Sequence, residues 1–324
     1  MEFKVVISIK AILFGVSENI IGNLDIGNDY TIIKGSMIDS KLWREFDYTD
    51  FGIRRIYEGA KVNDNLDVAV LNKRMEITSS SIKSSNNGFM IDNQHINEYI
   101  NSVEAAEIEY VDEKMRMIRL FSENSFNIYE LLFNVFIVYE NDDEKLYFNS
   151  KIPFPDVVYG NIPKLSLDNE TCISDINDFI RNIQFSFLKS KFNLELLKKV
   201  CFLYDQTYTA SVQTLRFMAG VIGIESLIVD DDSNGDLSYR FARNGAMLLS
   251  DNEDEYYDLK ERLKRIYRLR SKYVHCGSVK NIDELSVIEV REILRKLIFK
   301  IIELNIDKKE LLSKVEIKGY ISKL

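Results

Sequence analysis

Histidine and cysteine are scarce in this chain, and their scarcity excludes several kinds of site. The 324 residues include only two histidines, His95 and His275, so a metal site built from several histidines is excluded. The three cysteines are odd in number and far apart, so they provide neither a disulfide framework nor a paired-cysteine metal clamp. We therefore expect a protein of a reducing compartment that works without a metal or another cofactor.

Long apolar runs and a signal-peptide pattern are also lacking. The longest apolar candidate, 215–229, is interrupted by Arg216 and Glu225, and it falls short of the ~18 residues that a membrane helix needs. The first residues do not show a basic segment followed by an apolar one. The net charge of −9 argues against a protein that coats nucleic acid over its whole surface. These features predict a cytoplasmic protein with no membrane partner.

All three prolines fall in one short segment, at positions 153, 155 and 163. Proline disfavours both helix interiors and central strands, so this cluster predicts a linker over 153–165. The chain is also longer than most single cores. We therefore predict an α+β domain over 1–152, with a possible sensor or regulatory role, and an all-α helical domain over 166–324.

The first domain shows the periodicity of strands. Apolar residues alternate from Phe3 to Leu13, which predicts a half-buried strand, and a shorter alternation covers 66–70. The segments 135–139 and 145–148 flank polar residues and predict a hairpin, whereas 94–120 has helical spacing.

The second domain shows helical spacing almost throughout. Apolar stripes predict helices that include 176–187 and 194–204. Further helices are predicted over 208–229, 236–250, 254–276 and 284–305, and Asp307 with Glu310 has capping-box spacing. The short connections are typical of a helical bundle.

The helix predicted over 254–276 carries the residues with the most chemical interest. Its apolar stripe is interrupted by Arg270, and a buried guanidinium needs a partner. Gly277 is the expected C-terminal cap, which places His275 in the last turn. Arg270 and His275 are five residues apart and point about 140° apart on an ideal helix. We expect a frayed helix end or a second copy of the helix to bring them together.

Positive charge is concentrated in the same helix. Between 260 and 272 the chain has seven basic residues and a single acid, Glu261. Such residues bind phosphates without sequence preference. RNA-binding residues are therefore predicted at Arg262, Lys264, Arg265, Arg268 and Lys272. The alternative interpretation is a solvated helix face whose charges balance the acidic run over 251–258.

Three segments together resemble the Apea-like HEPN domain in their order and spacing, over roughly residues 205–305. They are Gly223–Ile228, Leu237–Arg243 and Leu263–His275. The resemblance implies a helical domain that dimerises so that two Arg-x4-6-His motifs face each other in a cleft. It also implies, for many members, metal-independent RNA cleavage in bacterial defence against phage, including abortive infection.

The resemblance also implies roles for individual residues. Arg270 and His275 match the catalytic pair of the family, and Glu225 matches a recurrent acid in the preceding central helix. Ser271 and Tyr273 lie within the motif and are assigned supporting roles. The chain departs from the pattern at Ser271, where many active members have Asn, Asp or His, and at Cys276, because His is commonly followed directly by Gly.

The implied chemistry uses the ribose 2′-hydroxyl as the nucleophile. His275 would move the proton, Arg270 would stabilise the developing negative charge on phosphorus, and the products would be a 2′,3′-cyclic phosphate and a 5′-hydroxyl. Alternatives remain open: a non-catalytic HEPN module that binds RNA or a partner protein, or the toxin half of a toxin–antitoxin pair. A phage-derived trigger or a regulatory partner is expected as well, because constant cleavage would poison the host.

Each of these residues also has a purely structural interpretation. His275 would only cap its helix, and Arg270 would serve only an ion pair with Glu225. Arg240 and Arg243, three residues apart on one helix, are expected to form salt bridges. The acidic run 230–232 is expected to be a solvated loop rather than a metal site.

Overall fold

The computed structural model describes residues 4–36, 60, 62–63, 67–78, 93–138, 144–154, 164–167, 170–230, 236–277, 280 and 282–317. The chain divides into two compact units, Met1–Arg181 and Asn182–Leu324. An antiparallel sheet forms the first and helices form the second, in agreement with the predicted order of an α+β region and a helical region. None of the helices in the described part of the chain combines the length and apolarity needed to cross a membrane.

The first unit is built on an antiparallel sheet and one long helix. Its strands are β1 (Lys4–Phe14), β2 (Thr31–Ser36), β3 (Asp67–Thr78), β4 (Asn127–Ile128), β5 (Glu130–Val138) and β6 (Glu144–Pro153). The order across the sheet is β2-β3-β1-β5-β6, and β4 pairs with the end of β1. The helix α1 (Asn93–Phe121) contributes Ile96, Ile100 and Ile118 to the core beneath the sheet.

The strand β1 corrects one prediction. Its alternating apolar pattern predicted a half-buried strand, but both of its faces are buried, including Val6 and Ile12 on the face opposite Ile7. β1 is also the central strand, with β3 and β5 paired to its two edges. The predicted hairpin is confirmed as β5 paired with β6, although its connecting residues lie outside the described part of the chain.

The division between the units lies after the predicted linker at 153–165. It falls within the helix α2 (Glu170–Lys189), between Arg181 and Asn182. The first part of α2 belongs with the sheet because Ile176 and Ile180 are buried in the sheet's own core. Pro153 ends β6, whereas Pro155 and Pro163 lie outside the described residues.

The second unit consists of helices joined by short connections. They are α3 (Leu194–Thr209), α4 (Gln213–Ile228), α5 (Leu237–Leu249), α6 (Glu253–Cys276), α7 (Glu284–Leu304) and α8 (Lys308–Ile317). α4 is the most apolar helix and packs against both α3 and α7. Most predicted boundaries agree within a few residues. The predicted helix over 208–229 is shorter, because Ala210 and Val212 adopt extended backbone between α3 and α4.

Side-chain caps explain where several of these helices begin. Asp236, Asn252 and Asp283 each accept a hydrogen bond from a backbone amide in the first turn of α5, α6 and α7. These bonds satisfy amides that have no partner within the helix. The predicted cap of α8 is confirmed, since the Asp307 carboxylate accepts from the Glu310 amide at 2.8 Å.

Candidate functional site

The helix α6 is well defined at both ends. The Asn252 side chain accepts from the Glu255 amide at 3.0 Å, and three acids in the first turn oppose the positive end of the helix dipole. Gly277 closes the other end with φ of 63°, and its amide donates to the Tyr273 carbonyl at 2.9 Å. This confirms the predicted glycine cap. The helix is therefore regular up to Cys276, past both Arg270 and His275.

Arg270 lies at the edge of the buried face of α6. Its Nη2 atom is 3.6 Å from Glu225 Oε2 on α4, and about a quarter of each side chain is exposed. The guanidinium also lies over the Tyr267 ring, 5.6 Å from its centroid. The predicted ion pair with Glu225 is therefore confirmed, in a half-buried rather than a buried setting. Arg270 Nε is buried and makes no hydrogen bond within the described part of the chain.

Burial and the charges of Glu225 and Arg270 affect the pKa of the Tyr267 phenol. Burial raises the pKa of Tyr267, and the nearby Glu225 carboxylate raises it further, while the Arg270 charge lowers it. Tyr267 also packs against Phe241 of α5, with ring centroids 5.2 Å apart. Arg270, Glu225 and Tyr267 thus form one cluster of α4 and α6, which we call the Arg270 cluster.

His275 does not belong to the Arg270 cluster. It is exposed in the last turn of an unbroken helix, about 140° around the axis from Arg270. Its helical neighbours are instead Lys272, three residues earlier, and Arg268, seven residues earlier, and both of these are exposed. Ser271 and Tyr273 are half-buried. Within one chain the predicted catalytic pair is therefore not brought together.

A groove with a cavity volume of about 600 Å³ runs between α6 and α7. Its α6 wall includes four of the five predicted RNA-binding residues. The lining is Arg262, Arg265, Arg268, Leu269 and Lys272 from α6, with Asp283, Leu285, Ser286, Ile288, Glu289 and Glu292 from the segment that begins α7. Four basic side chains therefore meet three acidic ones, so the groove is close to electrically balanced.

Ion pairs within the chain already hold three of the predicted RNA-binding residues. Arg262 Nε donates to Glu289 Oε1 at 2.7 Å, and Arg265 pairs with the same carboxylate. Lys264 Nζ is 2.5 Å from Glu261 Oε1. Arg268 and Lys272 make no such ion pair with the described residues. Two basic residues without such an ion pair therefore lie in the C-terminal part of α6, towards His275.

The α7 wall was missed from sequence. Leu285, Glu289 and Glu292 are spaced by four and three residues and share one face of α7, which the sequence does reveal. Nothing in the sequence indicates that this face meets α6, because the contact joins residues far apart along the chain. The most important residue missed is Glu289, since its one carboxylate pairs with both Arg262 and Arg265.

The remaining predicted polar residues have varied environments. Arg243 donates to Asn244 Oδ1 and lies over the exposed Tyr239 ring. The salt bridges expected of Arg240 and Arg243 stay a prediction. Asp230 is exposed, and 231–232 lie outside the described residues. Among the described residues, no three His, Cys, Asp or Glu side chains are grouped closely enough to hold a metal ion. In the comparisons with known proteins, no protein-family model, curated protein or solved structure matches this chain.

Proposed function

We propose that the helical unit binds RNA through the C-terminal end of α6 and cleaves it as a metal-independent endoribonuclease of the HEPN type. The observation that carries the proposal is the position of His275. It is exposed on the same side of α6 as Arg268 and Lys272, which form no ion pair with the described residues. A phosphodiester attracted by these cations would lie within reach of a group that moves protons near neutral pH.

The chemistry needs a proton acceptor, a proton donor and a positive charge. In the proposed reaction, one His275 imidazole removes the proton of the ribose 2′-hydroxyl, whose oxygen attacks the adjacent phosphorus. The bond to the 5′-oxygen breaks, and as it leaves that oxygen takes a proton from the protonated His275 imidazole of a second copy of the chain. General acid–base catalysis of this kind contributes about 10²–10⁴ in rate. The products are a 2′,3′-cyclic phosphate and a 5′-hydroxyl.

A second copy of the chain completes the proposed site. Arg270 and His275 point in different directions within one chain, and a homodimer allows Arg270 of one copy to approach a phosphate held near His275 of the other. There the guanidinium would stabilise the extra negative charge of the phosphorane. We propose that the N-terminal unit senses a trigger, of phage origin in a defence role, or restrains the nuclease until one is present.

A non-catalytic RNA-binding or protein-binding module is the second candidate, and one observation favours it. Arg270 is already paired with Glu225 in its own chain, and this pairing gives the arginine a structural role without any substrate. Arg268 and Lys272 would then bind phosphates with no reaction to follow.

Substitution of His275 separates the two candidates. Purified wild-type protein and the variants His275→Ala and His95→Ala are incubated with total RNA, with and without EDTA, and the new ends are analysed. We expect His275→Ala to lower the cleavage rate by about 10²-fold or more. RNA affinity should be unchanged, and His95→Ala, which removes the only other histidine, should cleave normally.

The enzyme proposal makes two further demands on this experiment. Cleavage must continue in EDTA, and DNA must remain intact because it lacks the 2′-hydroxyl. Cleavage by His275→Ala at the wild-type rate contradicts the proposed mechanism. RNA binding without cleavage by any of the three proteins supports the non-catalytic module.

A further inference from the structure

The solvent-facing side of α6 is divided by charge. At 100° per residue, six exposed charged residues fall within an arc of about 80° on this helix. The acids occupy the N-terminal half and the bases the C-terminal half: Asp254, Asp258 and Glu261, then Arg265, Arg268 and Lys272. A single face of one helix is therefore acidic at one end and basic at the other.

The charges are arranged symmetrically about Leu263. Asp254 and Lys272 lie nine residues before and after it, and Asp258 and Arg268 lie five residues before and after it. Glu261 and Arg265 lie two residues away on either side. If a second α6 ran antiparallel to the first, with a two-fold axis at the charged face and at the level of Leu263 along the helix, each acid would oppose a base. Two-fold symmetry forms every such contact twice, giving six opposite-charge contacts.

The four charged residues farthest from Leu263 along the helix are available to a partner. Asp254, Arg268 and Lys272 form no ion pair with the described part of the chain, and Asp258 makes only a long one, 3.7 Å from Arg262. Glu261 and Arg265 already have partners in Lys264 and Glu289. Selectivity for an antiparallel partner would therefore come from Asp254 with Lys272 and from Asp258 with Arg268.

Apolar side chains follow the same symmetry. Tyr257 is 44% exposed, Leu269 is half-buried, and they lie six residues on either side of Leu263. Leu285, 74% exposed, lies on the α7 wall of the groove and offers more apolar surface. Asp283 and Glu292 on that wall would repel an acidic segment, so a partner's acidic end is directed towards Arg268 and Lys272 on α6.

From this self-complementary pattern we infer that a second copy of this chain docks antiparallel on α6, forming a salt-sensitive resting dimer. A helix rises 1.5 Å per residue, so this register would separate the two His275 positions by about 36 Å along the axis. The resting dimer is thus different from the pairing that catalysis requires. It would cover Arg268 and Lys272, so RNA would have to displace the partner; this last step rests on the proposed function.

Charge reversal tests the dimer without any RNA. The acid-reversed variant is Asp254→Lys/Asp258→Lys, the base-reversed variant is Arg268→Glu/Lys272→Glu, and a third protein carries all four changes. Each is studied by sedimentation velocity at about 50 mM and about 500 mM salt. We expect a wild-type dimer at low salt whose dissociation constant rises about tenfold or more at high salt.

The variants should follow the symmetry of the proposed contact. Each doubly substituted protein should be monomeric alone, because it faces its own copy with like charges. An equimolar mixture of the two should form heterodimers, and the four-change protein should dimerise again. The control Glu195→Lys/Glu303→Lys changes the net charge as much as the acid-reversed variant, at exposed sites away from α6, and should stay dimeric. Circular dichroism checks that every variant is folded.

Several outcomes overturn the inference. The inference is wrong if the wild-type protein is monomeric at low salt, even if α6 then binds RNA. It is also wrong if both reversed variants remain dimeric. A mixture of the two that does not associate also overturns it. RNA oligonucleotide added to the wild-type dimer should abolish a carbodiimide cross-link between Asp254 of one copy and Lys272 of the other, whichever oligomer the RNA complex then forms. RNA binding that leaves this cross-link in place overturns the covering of Arg268 and Lys272. None of these measurements requires RNA cleavage. The cleavage assay with His275→Ala therefore tests the nuclease proposal independently of the dimer.

Discussion

The Arg270 guanidinium lies 3.6 Å from the Glu225 carboxylate, so the arginine of the proposed catalytic motif is already paired within its own chain. This pair links α6 to α4 and keeps Arg270 at the edge of the buried face. A phosphate that approaches Arg270 must share the guanidinium with Glu225 or displace the carboxylate. The pair therefore connects the stability of the helical unit with its proposed chemistry.

Glu225→Gln should lower the free energy of unfolding by about 1 kcal/mol or less, because the pair is only partly buried. Urea unfolding followed by circular dichroism measures the change. Glu303→Gln is the matched control, since it disrupts a more exposed pair with Lys300 and should change stability by about zero. A loss above about 3 kcal/mol would instead indicate a carboxylate that behaves as fully buried.

Arg268 and Arg265 should differ in their contribution to RNA binding. Arg268 makes no ion pair with the described residues, whereas Arg265 is held by Glu289. Arg268→Ala should weaken RNA binding and reduce the slope of log affinity against log salt by about 1, as expected for one lost phosphate contact. Arg265→Ala should have the smaller effect. Titration of a labelled RNA at several salt concentrations measures both slopes, and equal slopes would contradict the assignment.

Lys73→Met should destabilise the N-terminal unit strongly. Lys73 and Glu107 form a buried pair at 2.6 Å, with 3% and 9% of their side chains exposed. Removing the lysine leaves the Glu107 charge buried, with hydrogen bonds from Tyr30 and Asn28 among the described residues, and should cost about 3–5 kcal/mol. Arg74→Met, at the next position of β3, breaks only an exposed pair with Glu144 and should cost less than about 1 kcal/mol. Chemical denaturation compares the two variants.

Gly220→Ala should destabilise the helical unit even though alanine favours helix by about 1 kcal/mol. A Cβ atom at Gly220 would lie 2.3 Å from Val290 Cγ1, where α4 meets α7. Overpacking of this kind costs about 1–3 kcal/mol. Val290→Ala removes the clashing methyl group, so the double variant should lose less stability than the two single variants added together. If the losses of stability in the two single variants simply add up in the double variant, the close approach of Gly220 and Val290 is contradicted.

Tyr110 should make stability fall at alkaline pH. Burial, followed by the charges of Asp25, Glu107 and Glu113, raises the pKa of Tyr110 from 10.0 to about 12. Because the pKa is higher in the folded state, the unfolded chain ionises first. The contribution of protonated Tyr110 to the stability of the fold is therefore complete below pH 10, and it is lost as the pH rises towards 12. Tyr110→Phe should show a shallower loss of stability over pH 10–12 in denaturation curves; an identical loss in both proteins would contradict the shift.

Features that depend on neighbouring residues were predictable from sequence. The cap at Gly277, the cap at Asp307 and the bounds of α6 rest on contacts within a few residues, and all three are confirmed. The prediction for β1 was right about the strand and wrong about its exposure. Periodicity identifies a strand, but burial of its second face depends on what packs over the sheet, which local periodicity does not reveal.

The sequence by itself determined the helix that carries Arg270 and His275, the angle between them and the charge pattern of α6, since these follow from helical periodicity and residue order alone. Only the tertiary structure decided which charges remain free. Glu289 of α7 pairs with Arg262 and Arg265 of α6 across the groove, whereas Arg268 and Lys272 form no ion pair with the described residues. The physical reason is range: caps and turns join residues four or fewer apart, whereas these ion pairs join residues on two different helices.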